Sequence, residues 1–208
     1  MDGARGETSV RDRLLSAADE LFYAQGVHSV GIDRVLERAG VAKASLYSTF
    51  GSKEALVSAY LERRAAARQE RIREHIARFS EPDRRILAVF EVLAEVVAEP
   101  SFRGCAFVNA SAEEPEGETK VRVVCRSSRS WIRQLFSELS RELGAVDPER
   151  LSRALALLYD GVLVGASMER DPRTADDARA MVELLLATTA RRGRAARGAK
   201  VTSRKGSR

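Results

Sequence analysis

Residues 40–56, GVAKASLYSTFGSKEAL, group Lys43, Ser45, Tyr47, Ser48 and Thr49 within a segment barely eight residues long that Gly51 closes. An ammonium, three hydroxyls and a phenol in one place suit a polyanion with readable edges. Lys43 can meet a phosphate or a guanine, Tyr47 and Ser48 can bond phosphate oxygens, and Tyr47 can lie on a thymine methyl. Ala44 is small enough for the backbone to approach closely. Ser52 and Lys53 open the next helix, whose free N–H groups form a phosphate site. Two helical turns suffice to cross the major groove of B-DNA once. They are too few to hold themselves in water. A framework must therefore grip the segment, and Leu46 and Phe50, one turn apart, are the side chains available for it.

The framework reads as all-α, with about nine helices and no clear strand. Ser9-Val10-Arg11-Asp12 has the form of a capping box, and Gly26 ends the helix it opens. Ile32, Val35, Leu36 and Ala39 recur at helical spacing, and Gly40 stops them. Ser52 caps a fourth helix that runs to about Arg78, Pro82 starts a fifth, and a short sixth spans Cys105 to Ala112. A stripe from Val121 to Leu143 is the seventh helix. Asp147-Pro148 starts the eighth, and Thr174 caps the ninth. The expected domains are a head at residues 1–55, a body at 56–190 and a basic disordered tail at 191–208.

Gly40-Val41 between two short helices is the sequence form of a helix-turn-helix, here at about residues 31–50. The stretch RDRLLSAADELFYAQGVHSVGIDRVLERAGVAKASLYSTFGSKEALVSAYL resembles the DNA-binding domain of the TetR family of bacterial regulators, with A-G-V, L-Y, F and S-K-E-A-L at the family's spacing. FRGCAFVNASAE is similar to a segment in one branch of that family. The resemblance implies a three-helix DNA-binding head and a helical ligand-binding and dimerisation body. It also implies a palindromic double-stranded DNA operator and release by a small-molecule effector, largely apolar, that makes the protein a repressor. A ligand-independent or activating DNA-binding protein is the rival reading. The sequence departs from the family at Gly31 and Ala42, where hydroxyl-bearing caps are usual, and at Ser48 and Thr49, where aromatic or His residues are usual. Arg34 is a further candidate phosphate contact that could compensate for Gly31.

One head covers one half-site, so useful specificity calls for a homodimer. The expected interface is the last two helices, through Ala154, Leu157, Leu158, Gly161, Leu163 and Gly165 and through Met181, Val182, Leu185 and Leu186. The candidate effector-binding residues are Phe90, Leu93, Phe107, Asn109, Trp131, Leu135, Tyr159 and Asp160, each of which could instead be core. Glu91, Glu95 and Glu99 repeat every four residues and read as a solvated face.

No G-x-S-x-G, phosphate-binding glycine loop, H-E-x-x-H or paired Cys motif is present, so no catalytic residue, metal or cofactor is expected. Cys105 and Cys125 lack metal-ligand spacing and read as free thiols of a reducing compartment. His28 and His75 read as surface residues. MDGARGETSV carries no apolar run, and no stretch reads as long and apolar enough to span a membrane, so a cytoplasmic location is expected.

Charge is unevenly placed. The chain is +5 overall, yet residues 191–208 hold eight Lys/Arg and no acid, which leaves the rest with 27 basic against 30 acidic side chains. Residues 1–53 carry seven of each sign. Bulk charge therefore does not announce DNA binding in the head. The tail is either a solubilising end or an added attraction to a polyanion.

Overall fold

Glycine and proline punctuate this chain, and helices fill the intervals. The computed structural model describes residues 9–205, with side chains through Thr189. Among these residues there are nine helices: α1 (Val10–Gln25), α2 (Ile32–Ala39), α3 (Lys43–Phe50), α4 (Lys53–Ile76), α5 (Pro82–Val97), α6 (Ala106–Glu113), α7 (Lys120–Glu142), α8 (Pro148–Glu169) and α9 (Thr174–Lys205). The described residues contain no strand. The Ser9 hydroxyl accepts the Asp12 N–H at 3.1 Å and donates to its carboxylate at 2.6 Å, which starts α1. Asp147 accepts the Arg150 N–H at 2.9 Å ahead of Pro148, which starts α8.

Two compact units share these helices. The first runs to Ala67 and takes in Cys105–Ser128; the second holds Arg68–Gly104 and the chain from Arg129 onward. This differs from a division at residues 55 and 56. The first unit's core joins Leu14, Phe22, Val35, Leu46 and Leu56 to Phe107 and Ala110 of α6 and to Val121 and Cys125 of α7. The apolar faces of α6 and of the first turns of α7 are buried here, and burial decides membership.

In the second unit α5 packs on α8 and α9, and α8 packs on α9. Phe90, Phe136 and Tyr159 form an aromatic cluster with ring centroids 5.8 to 6.4 Å apart. All three are buried. Glu91, Glu95 and Glu99 are not a simple solvated face. Arg71 bonds Glu95 and Glu99 at 3.1 and 2.9 Å, while Glu91 meets His75 at 3.1 Å and Arg84 at 3.5 Å. His75 is half-buried in this cluster rather than on the surface.

Two further expectations change. α8 contains an 18-residue stretch long and apolar enough to cross a membrane by length and composition, with a mean hydropathy of 1.3. Its apolarity has two sources: Leu151, Leu155, Tyr159 and Val162 sit in the core, while Leu157, Val164 and Met168 remain exposed. The backbone of residues 191–205 continues α9 as helix where disorder was expected; residues 206–208 lie outside the described residues. Ala, Arg and Lys are strong helix formers, and they outweigh the two glycines of that stretch.

The Phe90 ring is 1% exposed and touches two other rings. Phe90→Ala is expected to destabilise the protein by about 3–5 kcal/mol, read as a lower midpoint in urea unfolding.

Candidate nucleic-acid interface

The geometry of the α2–α3 pair follows from two glycines at positive φ. Gly40 has φ 63° and ψ 42°, and its N–H bonds the carbonyls of Glu37 and Leu36. The Val41 N–H returns to the Leu36 carbonyl at 3.2 Å, which tightens the turn. Gly51, at φ 78°, closes α3 in the same way, its N–H on the Tyr47 carbonyl. An L side chain at either position would be strained. As the sequence implied, neither Gly31 nor Ala42 supplies a side-chain cap.

Leu46 alone of α3 is fully buried, and Phe50 is half-buried under the Arg11 guanidinium at 5.4 Å. The Arg13 guanidinium donates to the Gly40 carbonyl at 3.3 Å. Arg64 clamps Asp19 with two hydrogen bonds of 2.6 and 3.1 Å and lies over the Tyr23 ring at 3.7 Å. These cations brace α1 against α3 and α4, and spacing alone did not reveal them.

Lys43, Ala44, Tyr47, Ser48 and Thr49 are exposed together, and Ser45 is half-buried. Tyr47 keeps 48% of its surface accessible, so about half of its aromatic ring faces solvent. The Ser48 and Thr49 hydroxyls donate to the Ser45 carbonyl at 3.1 and 2.6 Å. Their oxygens are left outward as acceptors, so a phosphate contact from Ser48 requires that proton to turn. Lys43 pairs with Asp33 at 3.3 Å, both well exposed. Arg34 donates to the Gln25 side chain at 2.6 Å. Ser52 accepts the Ala55 N–H at 3.1 Å and so caps α4. Lys53 is half-buried with its ammonium 5.9 Å above the Phe22 ring; burial lowers its pKa and the Glu113 carboxylate opposes that.

Glu113 is the residue that sequence reading missed. From the end of α6 its carboxylate accepts the Val27 N–H at 3.2 Å and the His28 N–H at 2.6 Å, and it meets the His28 ring at 3.3 Å. His28 is a surface residue, as expected, with 60% of its side chain exposed, but its backbone is anchored in the turn. A carboxylate eighty-odd positions away leaves no local signal.

The candidate effector residues are divided between the two units. Phe107 and Asn109 lie in the first unit, the former buried and the latter exposed, which contradicts its expected apolar surroundings. Phe90, Leu93 and Tyr159 are core of the second unit. Asp160 forms an ion pair with Arg129. Trp131 and Leu135 are half-buried, and the Arg73 guanidinium lies 5.4 Å from the indole. A cleft of about 290 Å³ opens between the start of α8 and α9, lined by Val146, Arg150, Ala154, Leu185 and Thr188, none of them in that set. Burial pushes the Cys125 thiol up to about 11, which keeps it neutral and unreactive near pH 7. Among the described residues no group of three His, Cys, Asp or Glu could hold a metal.

Tyr47→Ala removes an exposed ring and no core contact. It is expected to leave the melting temperature within about a degree or two, since surface substitutions are close to neutral. Binding to a selected DNA duplex should fall at least tenfold in fluorescence anisotropy; unchanged binding would refute the assignment of this face.

Known proteins share both the head and the body of this chain. Residues 14–60 match the family model of the bacterial regulatory proteins of the tetR family, and residues 104–191 match that of the BetI-type transcriptional repressor C-terminal region. A TetR-family transcriptional regulator from Streptomyces coelicolor is 33% identical and superposes with a TM-score of 0.82, covering 86% of this chain and 89% of that one. The Escherichia coli transcriptional repressor NemR is 29% identical over 193 residues, 88% of this chain and 97% of NemR. The Mycolicibacterium smegmatis transcriptional activator FasR is 30% identical over 136 residues, 64% of this chain and 60% of FasR. With a glycine-turned α2–α3 pair on one unit and this likeness along most of its length, the chain belongs to the TetR family of transcriptional regulators.

Proposed function

We propose that this regulator reads a palindromic operator as a homodimer and represses until a small, largely apolar effector releases it. One observation carries the dimer. Leu157, Gly161, Val164 and Met168 fall at i, i+4, i+7 and i+11 on one face of α8, and the three side chains are 67%, 45% and 80% exposed. On α9, Met181 and Leu184 are 50% and 61% exposed. A contiguous apolar face of this kind is costly in water and marks an association surface. Of the interface residues expected from sequence, Leu157, Gly161 and Met181 lie on the exposed side, whereas Leu163, Val182 and Leu186 are buried within the unit. NemR, matched over nearly its whole length, is a repressor, which favours repression over the activation that FasR's name records.

Trp131 and Leu135, one turn apart on α7, are the better effector-contacting pair, because Phe90, Leu93 and Tyr159 already have apolar partners. α4 and α7 each contribute turns to both units, so either can carry a change from one to the other. A coupling of roughly 1–3 kcal/mol would change operator affinity five- to 150-fold. We read the protein as non-enzymatic and cytoplasmic, as suits a regulator of transcription.

Selection from a random duplex library should enrich a two-fold symmetric site bound at least about 10³ times more tightly than random DNA. Leu157→Glu should convert the protein to a monomer in sedimentation velocity while its helical content and melting are retained, and selective binding should be lost with the dimer. A symmetric site bound unchanged by a monomeric variant would refute the proposal. Trp131 is the chain's single tryptophan. An effector found by screening should therefore shift intrinsic fluorescence and release the duplex at matching concentrations; release without any such shift would place the effector elsewhere.

A further inference from the structure

The turn between α1 and α2 fixes how the reading pair leaves α1, and a side chain from another part of the sequence holds it. Ile32, the first residue of α2, follows His28 by four positions. Within the turn Val27 and Val30 are buried, and the Gly26 N–H is taken by the Phe22 carbonyl at 2.9 Å. The next two N–H groups, of Val27 and His28, converge on the Glu113 carboxylate. Hydrogen bonds to an ionised acceptor are about twice as strong as neutral ones.

A second observation shows how closely the carboxylate approaches. A Cβ built on Gly26 would lie 2.9 Å from Glu113 Oε1, and Gly26 has φ +89°. The positive φ strains any L side chain at this position, and a Cβ there would also push the carboxylate end of Glu113 aside. The segment that carries Glu113 is fastened at another point as well. The Lys120 N–H, at the start of α7, donates to Glu54 of α4 at 3.2 Å. Between the two anchors Arg122 donates to the carbonyls of Pro115 and Glu114 at 3.0 and 2.9 Å, so the α6–α7 connection is tied to itself. Glu113 lies in the C-terminal region matched to its family model, whereas Val27 and His28 lie in the N-terminal one.

We infer that Glu113 is a positioning residue for DNA reading: its carboxylate clamps α6 to the α1–α2 turn and thereby sets the angle of the α2–α3 pair. This rests on the assignment of that pair to DNA. α7 leaves the clamped connection and runs to Glu142.

The test uses the full-length chain, the tightest duplex recovered from a random library by the wild-type protein, and a scrambled duplex of equal length and composition. Glu113→Ala should weaken binding to the selected duplex roughly tenfold, the order lost with one charge-assisted hydrogen bond. Binding to the scrambled duplex should hold, because the exposed side chains of α3 are untouched by the substitution. Glu113→Gln keeps one acceptor and should fall between the two. Amide exchange of Val27 and His28 should quicken in both variants while that of Leu36 and Leu46 stays slow. Unchanged selectivity would overturn the inference, as would an equal loss on both duplexes accompanied by faster exchange across the whole head, which is the mark of general destabilisation. If the wild-type chain selects no duplex, the operator reading fails and this inference fails with it; selection that Glu113→Ala leaves intact defeats this inference alone.

Discussion

An eight-residue helix cannot hold itself in water, and α3 has one fully buried side chain, Leu46, to be held by. The need arises from what the helix is for. On the proposed reading its outer side faces a polyanion, so it offers apolar contact on one side only. Burial of Leu46 contributes about 1.5–3 kcal/mol. Side-chain caps, worth about 1 kcal/mol each, are missing at both Gly31 and Ala42. The remainder falls on the turns: Gly40 and Gly51 fix the two ends of α3 through backbone bonds alone, and the Arg13 guanidinium holds the Gly40 carbonyl from α1.

Charge in the head obeys the same division between holding and reading. Lys43 on Asp33, Arg34 on Gln25 and Arg38 on Glu20 are exposed contacts. Pairs of that kind are worth between nothing and about 1 kcal/mol, so they hold these side chains only weakly. Arg64 differs. It is half-buried, bidentate on Asp19 and stacked on Tyr23, and its role is to join α4 to α1. With equal numbers of acids and bases in residues 1–53, long-range attraction to DNA is weak there. Affinity must come from which cations face outward, and that is a property of the fold.

Much of this was legible in the residues because it is local. Capping hydroxyls, helix-starting prolines and the glycines at 26, 40, 51 and 144 marked helix ends to within a few positions, and all four glycines have positive φ. The outward set on α3 followed from helical spacing around Leu46. What escaped depends on contacts distant in sequence. Nothing near Glu113 announces its hold on the α1–α2 turn. The sequence showed α6 as a short helix without revealing that its apolar face completes the first unit's core, which leaves Asn109 exposed. His75 looked like a surface residue until Glu91, sixteen positions on, closed over it. Among the candidate effector residues, side-chain size was a poor guide: the largest rings found one another, and Phe90, Phe136 and Tyr159 form core.

α8 shows why hydropathy alone does not assign a role. The same 22-residue helix satisfies the length and composition of a membrane span, of a core helix and of an interface helix. Position around the helix separates these readings. A lipid-facing span would be apolar all round, whereas a core helix would hide its apolar stripe and expose charge. In α8 one apolar stripe is packed on α5 and α9, a second one through Leu157, Val164 and Met168 is bare, and Arg153 and Glu169 are exposed. Two apolar stripes of which the unit covers one suit the proposed dimer, in which a second copy would cover the other. Placed after the last turn of α7, it lets one element stabilise the unit and present the proposed dimer face. The overall apolarity of α8 is then the sum of two half-demands rather than the mark of lipid.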